Sequence, residues 1–356
     1  GLEVLFVSHL RRIPQEVAYT TNAYTPADLH RLNTHTLKFG FGEEHRHNLG
    51  PRNEGYGHVM LLNLRELIRP VSIGPGLMKE GTDSPSLNRG IRRARQDGAT
   101  VVWCHQNRGL EDVPNWLLGT LDAQNIFDGT QKFNYEAAFY NYLNIGLEVP
   151  FSTGTDWFIY DFSRVYVEAP GELTVESWLD ALAEGRSFIT NGPLLDFSVR
   201  DHRPGDVVNL AEPSRVPISG RAVGRHDFKT LQVVHNGTVA LSATSRPVGN
   251  HFVAEIEAEL DLSEPGWIAL RTDGKAVNEL NGELFSHTSP VYFTLRDRKI
   301  FRIDAARALL DDLQTSIDQV IRDAIFSTDE DQAEVIAVYR DAIRVLQERI
   351  VQEESE

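Results

Sequence analysis

The chain holds one cysteine, Cys104, in 356 residues, so an internal disulfide is excluded and the redox compartment is left open. It has few cations: 35 Lys and Arg stand against 51 Asp and Glu, a net charge of −16. A surface of that sign disfavours nucleic acid and anionic membranes as partners, because both recruit basic patches. No apolar run approaches the length that spans a bilayer. A G-x-S-x-G nucleophile elbow and a phosphate-binding P-loop are both missing from the sequence. An initiator methionine is missing too: Gly1 opens directly into "LEVLFVS", which reads as a strand. We therefore read the chain as a fragment, and its cellular location is left open.

What is present is an ordinary globular composition, 41% hydrophobic and 24% charged, long enough for two or three domains. In residues 1–185, short apolar runs alternate with amphipathic segments, the pattern of an α/β domain. "LEVLFV", "HVMLLNL", "TVVWC", "AQNIF", "EVPFS" and "RVYVE" are the expected strands. "SLNRGIRRARQDG", "NYEAAFYNYLNIG" and "TVESWLDALAEG" are the expected helices, the first two closed by glycines suited to C-caps. Residues 186–300 carry short alternating strands at regular spacing, which predicts a small all-β sandwich, with "HNG" at 235–237 as a hairpin turn. Residues 301–356 predict a helical hairpin. Its stripes are Ala305, Leu309, Leu313, Ile317 and Val320 on one helix, and Val335, Val338, Ile343 and Leu346 on the other. Those stripes suit packing on their own domain or the pairing of two copies.

Four polar residues beside apolar strands stand out as metal ligands: Glu44 in "GEE", His58 at the head of "VMLLNL", His105 after "TVVWC", and Asp156 in "STGTDW". Imidazole nitrogen with carboxylate oxygen suits Zn, Mn or Fe, and strand ends are where a β/α barrel collects reactive groups. Arg108, in the "NRG" that follows His105, is a candidate for an anionic substrate group. Cys104 and His105 are neighbours on a strand and face opposite ways, so a Cys-His dyad is not expected and Cys104 is assigned to the core.

The motifs "GEEHRHN…GYGHVMLLNL", "TVVWCHQNRG", "NIFDG", "YNYLNIGLEVPFSTGTDW", "EGRSFITNGPLLDFSV…RPGD" and "GWIALRT…SHTSPVY" resemble the PHP (polymerase and histidinol phosphatase) superfamily, specifically its CehA/McbA-type metallohydrolases. The resemblance implies a distorted, TIM-like β/α barrel of PHP type, then a small all-β domain. It implies one to three divalent ions held by Glu44, His58, His105 and Asp156, which would also be the catalytic residues. The family's opening His-x-His motif has no counterpart after Gly1; His9 in "FVSHL" is one residue out of step with a later histidine motif, and Phe158 stands where many members have histidine. The first strand or strands are therefore expected upstream, and the metal set of this chain is expected to be incomplete. His45 and His47 are assigned as extra ligands or substrate contacts, alongside His9 and Arg108. The function expected is metal-dependent hydrolysis of an ester, carbamate or phosphoester in a small molecule. The alternative is a degenerate module that binds a ligand, a carbohydrate for example, without catalysis.

Overall fold

The computed structural model describes residues 2–7, 10–12, 19–22, 24–47, 55–74, 81–105, 109–128, 135–155, 162–279 and 281–355. In chain order the described elements are β1 (Val4–Val7), β2 (Leu10–Arg12), β3 (Tyr19–Asn22), α1 (Pro26–His30), β4 (Lys38–His47), β5 (His58–Leu62), β6 (Ser72–Ile73), α2 (Leu87–Gln96), β7 (Thr100–Trp103), α3 (Asp112–Leu117), β8 (Ala123–Asp128), α4 (Tyr135–Asn144), β9 (Phe151–Gly154), β10 (Arg164–Val167) and α5 (Val175–Ala183). There follow β11 (Ser187–Thr190), β12 (Leu194–Val199), β13 (Val207–Leu210), β14 (Ser214–Gly224), β15 (Thr230–His235), β16 (Thr238–Thr244), β17 (Arg246–Val248), β18 (His251–Leu262), β19 (Gly266–Thr272), β20 (Ser286–Thr288), β21 (Val291–Leu295), α6 (Ile303–Asp323) and α7 (Asp329–Ser355). They fall into two compact units, one of residues 1–122, 172–179 and 306–356, the other of 123–171 and 180–305.

The expected TIM-like PHP-type barrel is not what forms. In the first unit β1 runs parallel to β4, but β4 pairs with β5 and β5 with β7 in antiparallel registers. A β/α barrel needs each strand parallel to the next, with a helix in every crossover. Strands that reverse from β4 to β5 to β7 leave no place for those crossovers. The fold is mostly β-sheet with a few helices. The strand and helix segments were sound as pieces; their directions were not in the hydrophobic pattern.

The central strand of this unit, β4, comes from "KFGFGEEHRH", a run with little of the usual strand composition. Its glycines explain part of this. A side chain at Gly40 would meet the Phe6 ring of β1 at 2.5 Å, so glycine lets β1 lie close with its aromatic group across β4. One face of β4 is closed by the core. Phe41, Val59, Leu61, Val101 and Trp103 are buried, and α2 covers them with Leu87, Ile91 and Ala94. A fully buried side chain of this kind contributes about 1.5–3 kcal/mol.

From Ala306 on, the C-terminal helices belong to this first unit. Their buried stripes are Ala305, Ala306, Leu309, Leu313, Ile317 and Val320 on α6, and Val335, Ile336, Tyr339, Ala342, Leu346 and Ile350 on α7. Val338 and Ile343 are only half-buried. The turn between the helices is tied down where the Ile325 N–H donates to Asp83 Oδ2 at 2.7 Å.

In the second unit, β12, β14, β18 and β17 form one antiparallel sheet, and β15, β16, β19, β20 and β21 belong to another. Residues of both sheets, among them Phe197, Val216, Ile218, Leu231, Val233, Ile256, Leu270 and Phe293, share one hydrophobic core. The β15–β16 turn is "NG", with Asn236 at φ 49° and Gly237 at φ 87°. Two positive-φ residues are what a tight hairpin following the strand twist requires. Next to this core, β8 and β9 pair in parallel.

Candidate metal centre

Alternation along β4 sorts its polar residues. In the register, Glu44 lies opposite Met60, and Arg46 opposite His58, so Glu44, Arg46 and His58 share one face of the β4–β5 ribbon. Glu43, His45 and His47 occupy the other face, against the core.

His58 sits at the first position of β5, behind Gly57. That glycine has φ +126°, and a Cβ there would lie 2.3 Å from the Trp103 ring. Only glycine allows the chain to enter β5 over the buried tryptophan. On the neighbouring strand, the Cys104 N–H donates to the His58 carbonyl at 3.0 Å. Cys104 is buried. His105 then adopts φ +63°, which breaks the strand's alternation. That turn brings its ring over to His58, with Nε2 2.9 Å from His58 Nδ1 and ring centroids 4.9 Å apart.

Glu44, His58 and His105 thereby converge: one ligand atom from each lies within 4.8 Å of the others. His58 Nδ1 is 3.1 Å from Glu44 Oε1, and Arg46 Nη1 is 3.6 Å from the same oxygen. Burial favours the neutral form of Glu44, but the hydrogen bond with His58 and the positive fields of Arg46, His58 and His105 outweigh it. The carboxyl is held below its ordinary range. It is a carboxylate at neutral pH.

The donor set fits a divalent ion. Bonds of about 2.0–2.2 Å in tetrahedral geometry separate the donors by about 3.3–3.6 Å. The two short separations here, 2.9 and 3.1 Å, are hydrogen-bond lengths, and a few tenths of an ångström of opening would convert them. A single ring nitrogen facing a carboxylate oxygen and a second imidazole nitrogen has one proton at most to share. A cation between the three would satisfy all of them.

The other expected site residues do not join this group. His45 is fully enclosed, its Nδ1 3.1 Å from Glu43 Oε1. His47 accepts the Tyr56 N–H at Nδ1 (3.0 Å), so its Nε2–H donates to Asp83 Oδ1 at 2.6 Å. Its ring stacks on Tyr56 at 3.9 Å. Burial outweighs the pull of Asp83 and pushes the His47 pKa down. Both histidines are thus on the other face of β4 from the Glu44–His58–His105 cluster, and His47 is a structural tie to the C-terminal helices through Asp83. Asp156, His9, Arg108 and Phe158 lie outside the described residues.

Three buried polar groups stand outside the expected site residues. Glu43 is 0% exposed and accepts the Ile68 N–H at 2.8 Å, pinning the segment after β5. Glu111 accepts the Leu87 and Asn88 N–H groups at 3.1 and 2.7 Å, capping α2 from another part of the chain. Burial pushes its pKa up to about 7 against the opposing effect of those bonds. In the second unit His287 is fully buried in a network with Tyr140 and Arg271. Strand parity would have flagged Glu43 once "KFGFGEEHRH" was read as a strand; the other two have no local signal.

No family model matches the chain, and no curated protein matches it. Among solved structures, it is similar to the solution NMR structure of the CARDB domain of a Pyrococcus furiosus protein, at 17% identity over 29% of this chain and 95% of that one. The TM-score of that match is 0.18.

Proposed function

We propose that Glu44, His58 and His105 bind a divalent metal ion, Zn, Mn or Fe, and that the protein is a metal-dependent hydrolase. The observation that carries this reading is the convergence of a carboxylate and two imidazoles from β4, β5 and the turn after β7. The motif resemblance to CehA/McbA-type metallohydrolases of the PHP superfamily supports it and supplies the reaction class: cleavage of an ester, carbamate or phosphoester in a small molecule. A bound divalent ion lowers the pKa of water toward neutrality and polarises the scissile oxygen. The chain's own contribution is to hold the donors on a stiff antiparallel ribbon and to keep Glu44 ionised. Arg46, on the same face, sets a cation beside them for a negatively charged substrate oxygen.

The test is metal analysis after loading with Zn or Mn and gel filtration, followed by assays on aryl esters and aryl phosphates. Stoichiometric metal is expected, falling to substoichiometric levels in Glu44→Gln, His58→Ala and His105→Ala. Trace metal in the loaded protein would overturn the centre. Metal without hydrolysis of either substrate would move the protein to the binding-module reading.

A further inference from the structure

On the far side of β4 from the metal ligands lies a cavity of about 350 Å³ between the start of α2 and the segment after β5. Arg69, Arg89 and Arg93 line it, with Glu66, Gly90 and His45. Three guanidiniums around one cavity are out of keeping with a chain whose net charge is −16. The arginines of α2 divide sharply. Arg92 donates to Asn88 Oδ1 at 2.8 Å, and Arg95 to Asp122 Oδ1 at 2.6 Å, so both are spent within the fold. The Arg89 guanidinium, by contrast, makes no hydrogen bond or ion pair among the described residues, and the Arg93 guanidinium has only a loose, exposed pair with Asp97 at 3.5 Å.

The second observation is at the floor. His45 is 1% exposed, and its Nε2 has no hydrogen-bond partner, although Nδ1 is engaged by Glu43. A buried polar atom left unpaired costs about 1–3 kcal/mol, so its persistence beside a cavity asks for a ligand. Room for the ring comes from Gly90: a Cβ there would lie 2.1 Å from Nε2. Glycine inside a helix costs about 0.5–1 kcal/mol relative to alanine. Here it lets the imidazole reach the cavity wall.

We propose that this cavity binds a small phosphorylated compound. Arginine forks match phosphate oxygens bidentately, and several of them together select a multiply charged tetrahedral anion over a carboxylate. A volume of about 350 Å³ exceeds bare phosphate and falls at the small end of ligand pockets. The occupant is therefore a phosphomonoester with a short hydroxylated body: with its Nδ1–H turned to Glu43, His45 Nε2 accepts from a ligand hydroxyl and not from a phosphate oxygen, and Glu66 lines the same cavity. The inference is independent of the metal centre.

The experiment titrates the full chain, stripped of metal by chelation, with inorganic phosphate, glycerol 2-phosphate and ribose 5-phosphate by calorimetry at constant ionic strength. Saturable binding is expected, tighter for a phosphomonoester than for inorganic phosphate. Arg89→Ala and Arg93→Ala, both exposed and tolerant positions, should each weaken it about tenfold, the loss of one charge-assisted contact. His45→Asn keeps an amide near the Nδ1 position and deletes Nε2; it should weaken binding while Glu43 keeps its partner. His105→Ala should leave the affinity unchanged, which separates this site from the metal centre. If inorganic phosphate binds alone, the occupant is the free anion and the phosphomonoester assignment falls. If none of the probes saturates, or the arginine variants bind as well as wild type, the site does not exist.

Discussion

His287 should make the second unit acid-sensitive, and the size of the effect follows from its surroundings. The ring lies in β20 with 0% exposure. Its Nδ1 is 2.7 Å from the Thr288 carbonyl and its Nε2 2.7 Å from the Tyr140 hydroxyl. A carbonyl only accepts, so Nδ1 carries the proton and Nε2 receives the Tyr140 O–H. Arg271 donates to the same phenol at 3.2 Å, while its Nε donates to Gln232 Oε1 at 3.0 Å. A second proton on the imidazole would be buried without water, beside a guanidinium, and would displace the Tyr140 donor. Burial first, and the Arg271 charge second, lower the folded pKa from 6.5 to about 3.

The sign is that of a depressed pKa. The unfolded chain binds a proton that the folded chain refuses, so stability is fully present above pH 6.5 and is lost as pH falls from there toward 3. Between pH 7 and pH 5 the loss is about 2 kcal/mol, taking 1.36 kcal/mol per unit over the unfolded group's titration. His287→Gln keeps an acceptor near the Nε2 position and removes the titration. Other titrating groups contribute equally to both proteins and cancel in the double difference. The assay is urea unfolding at the two pH values, read by pulse-labelled hydrogen exchange in peptides from β19 and β20, so that the transition belongs to this unit. Equal losses in wild type and His287→Gln would refute the reasoning.

Glu111 predicts the opposite slope for the first unit. Its folded pKa of about 7 lies above the ordinary 4.5, so stability present below pH 4.5 is lost as pH rises through 7. The stability difference between wild type and Glu111→Gln should shift toward the variant by about 2–3 kcal/mol between pH 5 and 8, measured by urea unfolding read at α2. Asp83→Ala removes the acceptor of both His47 Nε2–H and the Ile325 N–H. It should cost about 3 kcal/mol and expose the turn between α6 and α7 to exchange before the rest of its unit. An unchanged exchange rate there would mean that the two bonds are not what ties the turn down.

Much of the local structure was legible because it rests on periodicity. β5, β7 and β8 are apolar runs of strand length, α2 and α4 show helical spacing, and "HNG" can only turn tightly. Strand direction has no such signal. An apolar run of four or five residues reads the same whether its neighbour is parallel or antiparallel, and the motif resemblance filled that gap with a barrel that the registers of β4, β5 and β7 contradict. β4 is absent from the expected strands, since a strand built from Gly, Glu and His owes its existence to the Phe6 ring packed over Gly40 and to the pairing of β5 along it. Glu111 caps Leu87 and Asn88, and His287 meets Tyr140, across long stretches of chain, so no periodic pattern beside them marks the pairs.

The density of histidine and glutamate between residues 43 and 58 now has a physical reading in the two faces of one strand. Even positions carry Glu44 and Arg46 to the side where His58 and His105 converge; odd positions carry Glu43, His45 and His47 inward. The inward set is buried and hydrogen-bonded within the fold, save one imidazole nitrogen. Since the side-chain period is two, shifting β4 by one residue against β5 would exchange the sets, placing three buried polar residues in solvent and two charged ones in the core. Glu43 and His47 have inward partners in the Ile68 N–H, Asp83 and the Tyr56 N–H, so the polar residues support the present register alongside the apolar ones. The geometry of the Glu44–His58–His105 cluster and the strand register are thus one specification, and a substitution such as Glu43→Leu should leave Glu44, His58 and His105 in place while freeing the Ile68 N–H and the His45 ring.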